Sequence, residues 1–476
     1  MSKEDTFETL RFLTPELCFE IADKVGSPCY AYDLESLKRY ATETLAFPNA
    51  YGLTVRYAMK SSPNAAILKL FDKMGLHFDC SSVFEVRRAM AAGVAPEKCS
   101  LSSQELTDGF EELVALGAKV NCCSLLQVEK FCAKCPGKEM GLRFNPGVGS
   151  GGTGKTNVGG PSSSFGIWYE FADKASDIAK AAGCKVVRIH THIGSGSDPA
   201  VWRKTTGMSI SLCEKFPDAT TLNLGGGYKV ARMKTDKGTN LQTDCSVVKD
   251  VFEEFAAKFG RKLHLEIEPG TYLSANTCSL VCLVHDVVQT GTPEGHTFIK
   301  LNAGMTDVLR PSLYGAQHPQ VVVPRKPTEE KASYVVTGHC CESGDLLTPA
   351  PGEPETIAER LLTKATPGDV YVVEACGAYC SSMSTKNYNS FPEAPEVMIV
   401  DGKVCILSPP VTCARALSRS LTQSVNHSFS LSLSLSPSLS LSRLSSHSLS
   451  QIHVIRKVQP VEEIWKNECD LPAGSF

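Results

Sequence analysis

The fold is decided by the stretch Tyr57-Ala58-Met59-Lys60-Ser61-Ser62-Pro63-Asn64. It follows a short apolar segment, residues 55–58, that has the length of a β-strand, and it precedes a helical pattern at residues 65–74. The stretch therefore lies where a strand gives way to a loop. A lysine there is a candidate for chemistry only if other functional groups reach the same edge of the sheet.

The same order of strand, loop and helix repeats from about residue 36 to residue 282. Strands that alternate with helices argue for parallel strands joined by crossover helices. Around eight such units in about 250 residues suit a (β/α)8 barrel of the TIM type, an α/β fold whose active site lies at the carboxyl ends of the strands. Further strands are predicted at 77–80, 119–122, 141–145, 186–192, 221–224 and 263–268, and further helices at 83–92, 125–132, 171–182, 200–216 and 245–259.

After about residue 283 the pattern becomes rich in β-strands, which predicts a second, all-β domain. This domain is expected to comprise residues 1–35 and 283–476, and an early strand at 29–32 is expected to join it because that strand precedes the first βα unit. Its other strands are predicted at residues 281–288, 297–301, 333–337, 370–374 and 396–400.

Residues 415–452 fit neither domain. Ser430 to Ser442 alternates serine and leucine around one proline, and such low complexity predicts a disordered insertion. A disordered linker is the alternative to an insertion, and strict Ser/Leu alternation without charge could also form an aggregation-prone edge strand.

Composition excludes several functional classes. A net charge of −3 gives no electrostatic basis for binding nucleic acid or an anionic membrane. The apolar runs are shorter than the roughly 20 residues that a membrane helix needs. The acidic start, Met1 to Asp5, is not followed by an apolar stretch, so we expect a cytoplasmic protein, with an organellar location left open.

Three local motifs are interpreted as decoys. Cys132-Ala133-Lys134-Cys135 has no second cysteine pair to complete a zinc site, so no metal is predicted. Gly149 to Thr156 satisfies the P-loop pattern, but the residues that follow, Asn157 to Pro161, cannot propagate the helix that phosphate binding requires. We interpret it as a glycine-rich loop over the barrel mouth. The sequon at Asn426 lies in the insertion of a chain without a predicted secretory signal.

Three later segments give Lys60 its meaning. They are residues 190–195, with two histidines, residues 225–227, a glycine triplet, and residues 268–270, which begin with Glu268. An amine, an aromatic ring, a backbone cradle for phosphate and a carboxylate for a pyridinium nitrogen are the groups that pyridoxal 5'-phosphate (PLP) requires. Singly, these residues have ordinary alternatives: an exposed lysine, a hydrogen-bonded strand-end histidine, a plain turn and a salt bridge at the barrel rim.

Together these motifs resemble the barrel of the fold-type III PLP decarboxylases, the alanine racemase-like group that includes diaminopimelate, ornithine and arginine decarboxylases. The second domain adds the segments 307–315, 341–345 and 377–379, and with them the set is most similar to the diaminopimelate branch, from about residue 20 to 465 without the insertion. The resemblance implies decarboxylation of meso-2,6-diaminopimelate to L-lysine and CO2, in a homodimer with shared active sites.

The resemblance also implies roles for individual residues. Lys60 bonds the cofactor aldehyde, His192 stacks on its ring, and Glu268 keeps the pyridine nitrogen protonated, which favours decarboxylation over racemisation. The remaining cofactor-binding residues are expected to be Asp79, Ser195, Gly225, Gly226, Gly227, Gly270 and Tyr379.

The second domain is expected to supply the substrate contacts. Arg310 and Tyr314 bind the far end of the substrate, Glu342 binds its distal ammonium, and Tyr379 contacts either substrate or phosphate. Cys341 returns a proton to the α-carbon. Its neighbour Cys340 is the alternative, but the frame Cys-Glu-Ser-Gly-Asp selects Cys341.

Two residues depart from the family pattern. Thr271 stands where Glu-Pro-Gly is usually followed by arginine, and His339 stands where a proline usually precedes the cysteine. The lost arginine removes a charge-assisted contact to phosphate or to a substrate carboxylate. A decarboxylase of D- or L-ornithine or lysine is therefore the competing hypothesis, followed by an inactive regulatory homologue that binds a protein partner.

Overall fold

The computed structural model describes residues 7–148, 159–192, 198–401, 403–404, 453–457 and 459. In this part of the chain the strands are β1 (Cys29–Asp33), β2 (Leu53–Ala58), β3 (His77–Cys80), β4 (Cys99–Leu101), β5 (Lys119–Cys122), β6 (Glu139–Asn145), β7 (Ile167–Trp168), β8 (Lys185–Thr191), β9 (Thr221–Asn223), β10 (His264–Ile267), β11 (Cys278–Gln289), β12 (Thr297–Leu301), β13 (Gln320–Val323), β14 (Lys331–Thr337), β15 (Pro349–Ala350), β16 (Glu353–Ile357), β17 (Arg360–Thr363), β18 (Val370–Val373), β19 (Glu396–Val400), β20 (Lys403–Val404) and β21 (His453–Arg456). The helices are α1 (Pro15–Lys24), α2 (Leu34–Leu45), α3 (Ala65–Lys73), α4 (Val83–Ala91), α5 (Phe110–Ala115), α6 (Leu125–Lys134), α7 (Ala172–Ala181), α8 (Pro199–Leu212), α9 (Leu241–Asp244), α10 (Val247–Phe259), α11 (Thr271–Ser274) and α12 (Arg310–Tyr314).

Eight parallel strands form a closed barrel in the order β5-β4-β3-β2-β10-β9-β8-β6, and pairing of β5 with β6 closes the ring. The predicted fold class, a (β/α)8 barrel with a second β domain, is confirmed. Closure brings the carboxyl ends of all eight strands to one rim, so residues far apart in sequence meet there. The short strand β4 was not among the predicted strands, because three residues carry no readable periodicity.

Helices begin directly after the strand-end loops because capping residues stop the loop and start the helix. Asn64, Ser82 and Ser124 are the N-caps of α3, α4 and α6, and each side chain accepts a backbone N–H from the first turn. The apolar faces of these helices then pack on the barrel. Among the described residues, no helix has both the length and the apolar character needed to span a bilayer.

The second domain is built on a ten-stranded sheet. Seven of its strands lie side by side in the order β17-β14-β12-β11-β1-β19-β20, and β13, β18 and β21 pair beside them. Strand β1 lies between β11, which is antiparallel to it, and β19, which is parallel to it. The chain therefore starts in this sheet, leaves to form the barrel and returns through β11. The Ser/Leu segment 415–452 lies outside the described residues.

The two units meet next to the Lys60 loop. The backbone N–H of Tyr379 donates to the Ser61 carbonyl at 2.9 Å, and the Ser382 hydroxyl donates to the same carbonyl at 3.0 Å. Nearby, Gly377 donates its N–H to the Ala275 carbonyl at 3.0 Å. These contacts fix the segment after β18 against the barrel rim, so the second domain contributes groups to the same site.

Candidate active site

Lys60 lies in a short 3-10 turn, Met59–Ser61, at the carboxyl end of β2. Its side chain is 42% exposed, and its ammonium donates to Asp79 Oδ2 at 2.9 Å and to Ser81 Oγ at 3.2 Å. Desolvation by the surrounding protein disfavours the charged form of Lys60, but the negative charge of Asp79 outweighs this effect and raises the pKa of Lys60. The amine is therefore held as an ammonium at the barrel mouth by its own carboxylate partner.

Asp79 is buried on β3, next to β2 in the barrel. Burial and the nearby charge of Glu268 raise the pKa of Asp79, although Lys60 acts in the opposite direction. Its second oxygen, Oδ1, is buried and has no hydrogen-bond partner among the described residues. Buried polar atoms are rarely left unpaired, so this oxygen is suited to a donor supplied by a ligand.

Glu268 follows β10 and is buried. The Asn223 amide donates to Glu268 Oε1 at 2.7 Å, and His190 Nε2 lies 3.2 Å from Oε2. Burial alone would raise the pKa of this carboxyl, but His190 and the positive charge of Lys60 hold it well below its ordinary value. The carboxylate is therefore ionised, the form required beside a pyridinium nitrogen.

His192 follows β8 and faces the glycine triplet. The Gly226 N–H donates to His192 Nδ1 at 3.2 Å, which leaves the ring proton on Nε2. Burial, aided by the positive charge of Arg143, lowers the pKa of His192 to about 3. A neutral imidazole results, and a neutral ring can stack on a cofactor without adding charge to the site.

The glycine triplet forms a tight cradle. Gly225 and Gly227 have φ values of +69° and +97°, a conformation that residues with a Cβ rarely adopt. At Gly226 a Cβ would lie 2.3 Å from the Glu268 carbonyl oxygen, and at Gly270 it would lie 3.1 Å from the Ala58 Cβ. Gly226 is thus packed directly against the Glu268 backbone, where only glycine fits, and a glycine loop after a strand is the kind of backbone segment that can approach a phosphate.

Tyr379 is the contribution of the second domain to the barrel rim. It has a positive φ of +58°, which the hydrogen bond from its N–H to Ser61 helps to hold. Burial raises the pKa of the Tyr379 phenol, while the charges of Lys60 and Arg310 lower it. The phenol therefore lies within the electrostatic reach of both cations.

The predicted substrate residues divide into two groups. Arg310 and Tyr314 lie on α12, with the guanidinium 5.8 Å from the tyrosine ring centroid, and both are half-buried. Cys341 and Glu342 instead lie on an exposed loop. Its hydrogen bonds include one from the Cys341 N–H to Asn389 Oδ1 at 2.8 Å, within the second domain.

One predicted site residue and two decoy segments lie outside the described residues: Ser195, the glycine-rich stretch 149–156 and the sequon at Asn426. Two residues that sequence reasoning missed, His190 and Asn223, contact Glu268 directly. A signal for both exists in the sequence. Side chains two apart on a strand share a face, so residues two before His192 and two before the glycine triplet were candidates.

A triad of charged residues lies beneath Glu268 in the barrel interior and is called the barrel-interior triad: Arg56, Arg188 and Glu266. Arg56 Nη2 lies 2.7 Å from Glu266 Oε1, and Arg188 Nε lies 3.0 Å from Oε2. All three are buried. Burial would raise the pKa of Glu266, but the two guanidiniums lower it to about 2.

These residues fit PLP on three structural grounds. The glycine cradle leaves no space for a Cβ, Asp79 Oδ1 is an orphaned buried acceptor, and Glu268 is ionised beside a neutral His192. His190, His192 and Glu268 also bring potential ligand atoms within 4.8 Å of one another, a donor set that zinc accepts. A metal ion there would compete with the cofactor for His192 and Glu268.

Comparison with known proteins agrees with this arrangement. The family model described as "Pyridoxal-dependent decarboxylase, pyridoxal binding domain" matches residues 36–275. The diaminopimelate decarboxylase of Escherichia coli K12 is 32% identical over 414 residues, which cover 84% of this chain and 95% of that protein. The enzyme of the same name from Streptomyces coelicolor is 30% identical over 417 residues, covering 83% and 90% of the two chains.

A solved structure gives the same result. A crystal structure of diaminopimelate decarboxylase superposes with a TM-score of 0.81 and 29% identity, covering 97% of this chain and 98% of that one. The chain therefore belongs to the family of pyridoxal-dependent decarboxylases. Within that family, the relatives named here are diaminopimelate decarboxylases.

Proposed function

We propose that the protein decarboxylates meso-2,6-diaminopimelate to L-lysine and CO2 with PLP as its cofactor. The observation that carries the proposal is the ionised Glu268, held by Asn223 and His190 at the same rim as Lys60 and the glycine cradle. When bound, PLP supplies a protonated pyridine ring that accepts the electron pair left on the α-carbon as CO2 departs.

Glu268 and His192 set the electronic environment for that ring. A carboxylate that stays ionised keeps an adjacent ring nitrogen protonated, whereas a cationic residue at this position would weaken the electron sink. The neutral imidazole of His192 contributes a flat surface without adding positive charge. Both features favour decarboxylation over racemisation.

Lys60 is the residue that bonds the cofactor aldehyde in this proposal. Its amine must lose a proton before it can act as a nucleophile, and the ammonium donates that proton in a hydrogen bond to Asp79 at 2.9 Å. Because burial raises the pKa of Asp79, this carboxyl is able to accept a proton from the amine when the site is filled.

Cys341 is proposed to return the proton to the α-carbon of a neighbouring subunit's substrate, with Glu342 binding the distal ammonium. The exposure of both residues in the single chain supports a homodimer in which this loop completes the partner's site. An exposed thiol and carboxylate on a short, internally hydrogen-bonded loop suit such a position.

The lysine assignment is tested by replacing Lys60 with alanine. We expect the visible absorption of the protein-bound cofactor to disappear and CO2 release to fall to background. Lys98, paired with Asp72 at 2.7 Å away from the rim, is a matched control, and Lys98→Ala should keep both signals. Retention of the absorption band by Lys60→Ala would refute the assignment.

The substrate assignment is tested by measuring CO2 release from meso-diaminopimelate, D- and L-ornithine, D- and L-lysine, and arginine under identical conditions. Preference for diaminopimelate is the expected result. Preference for a monocarboxylic amino acid would transfer the function to the competing hypothesis that Thr271 raises. Titrating the protein with zinc before PLP is added distinguishes a metal site from a cofactor site at His190, His192 and Glu268.

A further inference from the structure

Two arginines near the site have buried nitrogen atoms without partners. Nε and Nη2 of Arg232 and Nε of Arg310 are inaccessible to solvent and make no hydrogen bond with any described residue. A buried guanidinium without an anion is costly, and two adjacent ones repel each other. Burial, together with the charge of Arg310, lowers the pKa of Arg232 to about 9, which indicates that the two groups are close.

The surrounding residues do not neutralise this pair. The charge of Asp236 acts on Arg232, but Asp236 Oδ2 already accepts the backbone N–H of Arg232 at 3.1 Å and that of Met233 at 3.0 Å. The buried His318 next to both arginines has its pKa pushed well below the ordinary value by burial and by their charges. The region is therefore positive, and no described carboxylate makes a hydrogen bond to the unpartnered arginine nitrogens.

The pair lies on the reaction side of the barrel mouth. The Arg310 guanidinium lies 5.8 Å from the Tyr314 ring centroid, and the Tyr314 hydroxyl lies 3.9 Å from Met383 Sδ. The neighbouring Ser382 donates to the Ser61 carbonyl in the Lys60 turn, so Arg310 lies on the side of the reactive amine, and the charges of Arg310 and Lys60 both act on the Tyr379 phenol. The backbone that carries Arg232 is tied to the segment after α11, because the Asn276 amide donates to the Ala231 carbonyl at 3.1 Å. Helix α11 itself begins at Thr271, where the family pattern has an arginine.

We propose that Arg232 and Arg310 together bind the distal carboxylate of a dicarboxylic amino acid, and that Arg232 supplies the cation that position 271 lacks. A guanidinium fork recognises a carboxylate through paired charge-assisted hydrogen bonds. The proposal rests on the proposed function and refines it, because it explains how a chain with Thr271 selects a dicarboxylate over ornithine or lysine.

The same cations could also bind the cofactor phosphate, since carboxylate and phosphate share this chemistry. Two observations favour the substrate. The glycine triplet is already the proposed phosphate loop, and Arg310 is connected through Tyr314 and Met383 to the Ser382–Ser61 contact in the Lys60 turn, on the side of the reactive amine. The experiment separates the two sources by measuring cofactor affinity and substrate affinity independently.

The test compares Arg232→Gln with wild type in the PLP-loaded enzyme. We expect KM for meso-diaminopimelate to rise roughly 10- to 100-fold, as for loss of a charge-assisted hydrogen bond, with little change in the Kd for PLP. Binding of pimelate, an unreactive dicarboxylate, should weaken by a similar factor, while binding of L-lysine should change much less. Arg203→Gln, which removes an exposed arginine paired with Glu254 on the barrel exterior, is the matched control and should behave like wild type.

The outcomes are decisive in both directions. A weaker PLP affinity with unchanged pimelate binding would overturn the proposal in favour of phosphate, and unchanged affinity for both ligands would overturn it altogether. Thr271→Arg introduced into Arg232→Gln should restore pimelate binding; if the folded double variant stays as weak as the single one, Arg232 is not the replacement for position 271. Pimelate binding needs no turnover, so this result remains interpretable even if wild type prefers another substrate.

Discussion

Replacing Gly226 by alanine tests the glycine cradle. A Cβ at this position would lie 2.3 Å from the Glu268 carbonyl oxygen and 3.6 Å from the His192 ring. Ordinary contact begins at 3.4 Å, so one backbone segment must move by about 1.1 Å. The residues displaced include the donor to His192 and the residue that carries the essential carboxylate.

The expected cost follows from that displacement. Overpacking of about 1–3 kcal/mol would weaken PLP binding by roughly 5- to 150-fold, and a shift of about 1 Å at a reacting group costs on the order of 10²-fold in rate. We therefore expect Gly226→Ala to lose most cofactor binding and activity. Its effect on the melting temperature should be modest, because the clash lies at a rim loop rather than in the packed helices.

The assay is a PLP titration followed by absorbance and tryptophan fluorescence, with thermal unfolding of the same samples. Gly207→Ala is the matched control, since a Cβ at Gly207 on α8 meets nothing within 4 Å. It should leave PLP affinity unchanged and stabilise the helix by up to about 1 kcal/mol. Wild-type affinity in folded Gly226→Ala would refute the cradle, and an equal loss in Gly207→Ala would show that the effect is not local.

Three further predictions concern charge and assembly. Glu266→Gln should destabilise the protein by about 3–5 kcal/mol at neutral pH, because it leaves two buried guanidiniums uncompensated. The pKa of Glu266 is about 2 in the folded protein, below the ordinary 4.5, so wild type should lose this stability as the pH falls through that interval. Acid unfolding curves of the variant should lack that loss. Asn223→Asp should place a second negative charge beside Glu268 and move the acid limb of the kcat/KM profile to higher pH, whereas an unmoved limb would contradict the role of the Asn223 donor. Mixing inactive Lys60→Ala and Cys341→Ala chains should restore about a quarter of wild-type activity if sites are shared between subunits, and no recovery after verified exchange would rule sharing out.

The fold was largely predictable because its periodicity is local. The predicted strands 77–80 and 119–122 match β3 and β5, and the helix predicted at 125–132 is α6, extended to Lys134. The strands that the sequence did not predict were short or lay in interrupted segments. Strand β4 has three residues, and β13 and β17 lie in a part of the second domain where no alternation stood out.

The residues of the candidate site also differ in how clearly the sequence indicated them. Lys60, His192, Glu268 and the glycine triplet were proposed from the sequence because each belongs to a motif that spans several consecutive residues. Asn223 was indicated only by its spacing of two residues from the glycine triplet, and Arg232 carries no motif, so its role depends on contacts between segments that only the folded chain brings together. Single-residue contacts across a fold leave no local pattern, so they had to be seen in three dimensions.

The barrel interior shows why the carboxylate at the rim can stay ionised. Residues two apart in extended chain point to the same face, so Glu266 on β10 and Glu268 directly after it, like Arg188 and His190 on β8, all point into the barrel. The barrel-interior triad contains two positive charges and one negative charge, which leaves one positive charge beneath Glu268. Burial alone would protonate that carboxyl; His190 and the charge of Lys60 oppose this most strongly, and the excess positive charge of the triad adds to them because both arginines attract Glu268. The polar core of this barrel thus supports the candidate site, and replacing the triad by apolar residues of equal volume should preserve the fold while raising the pKa of Glu268.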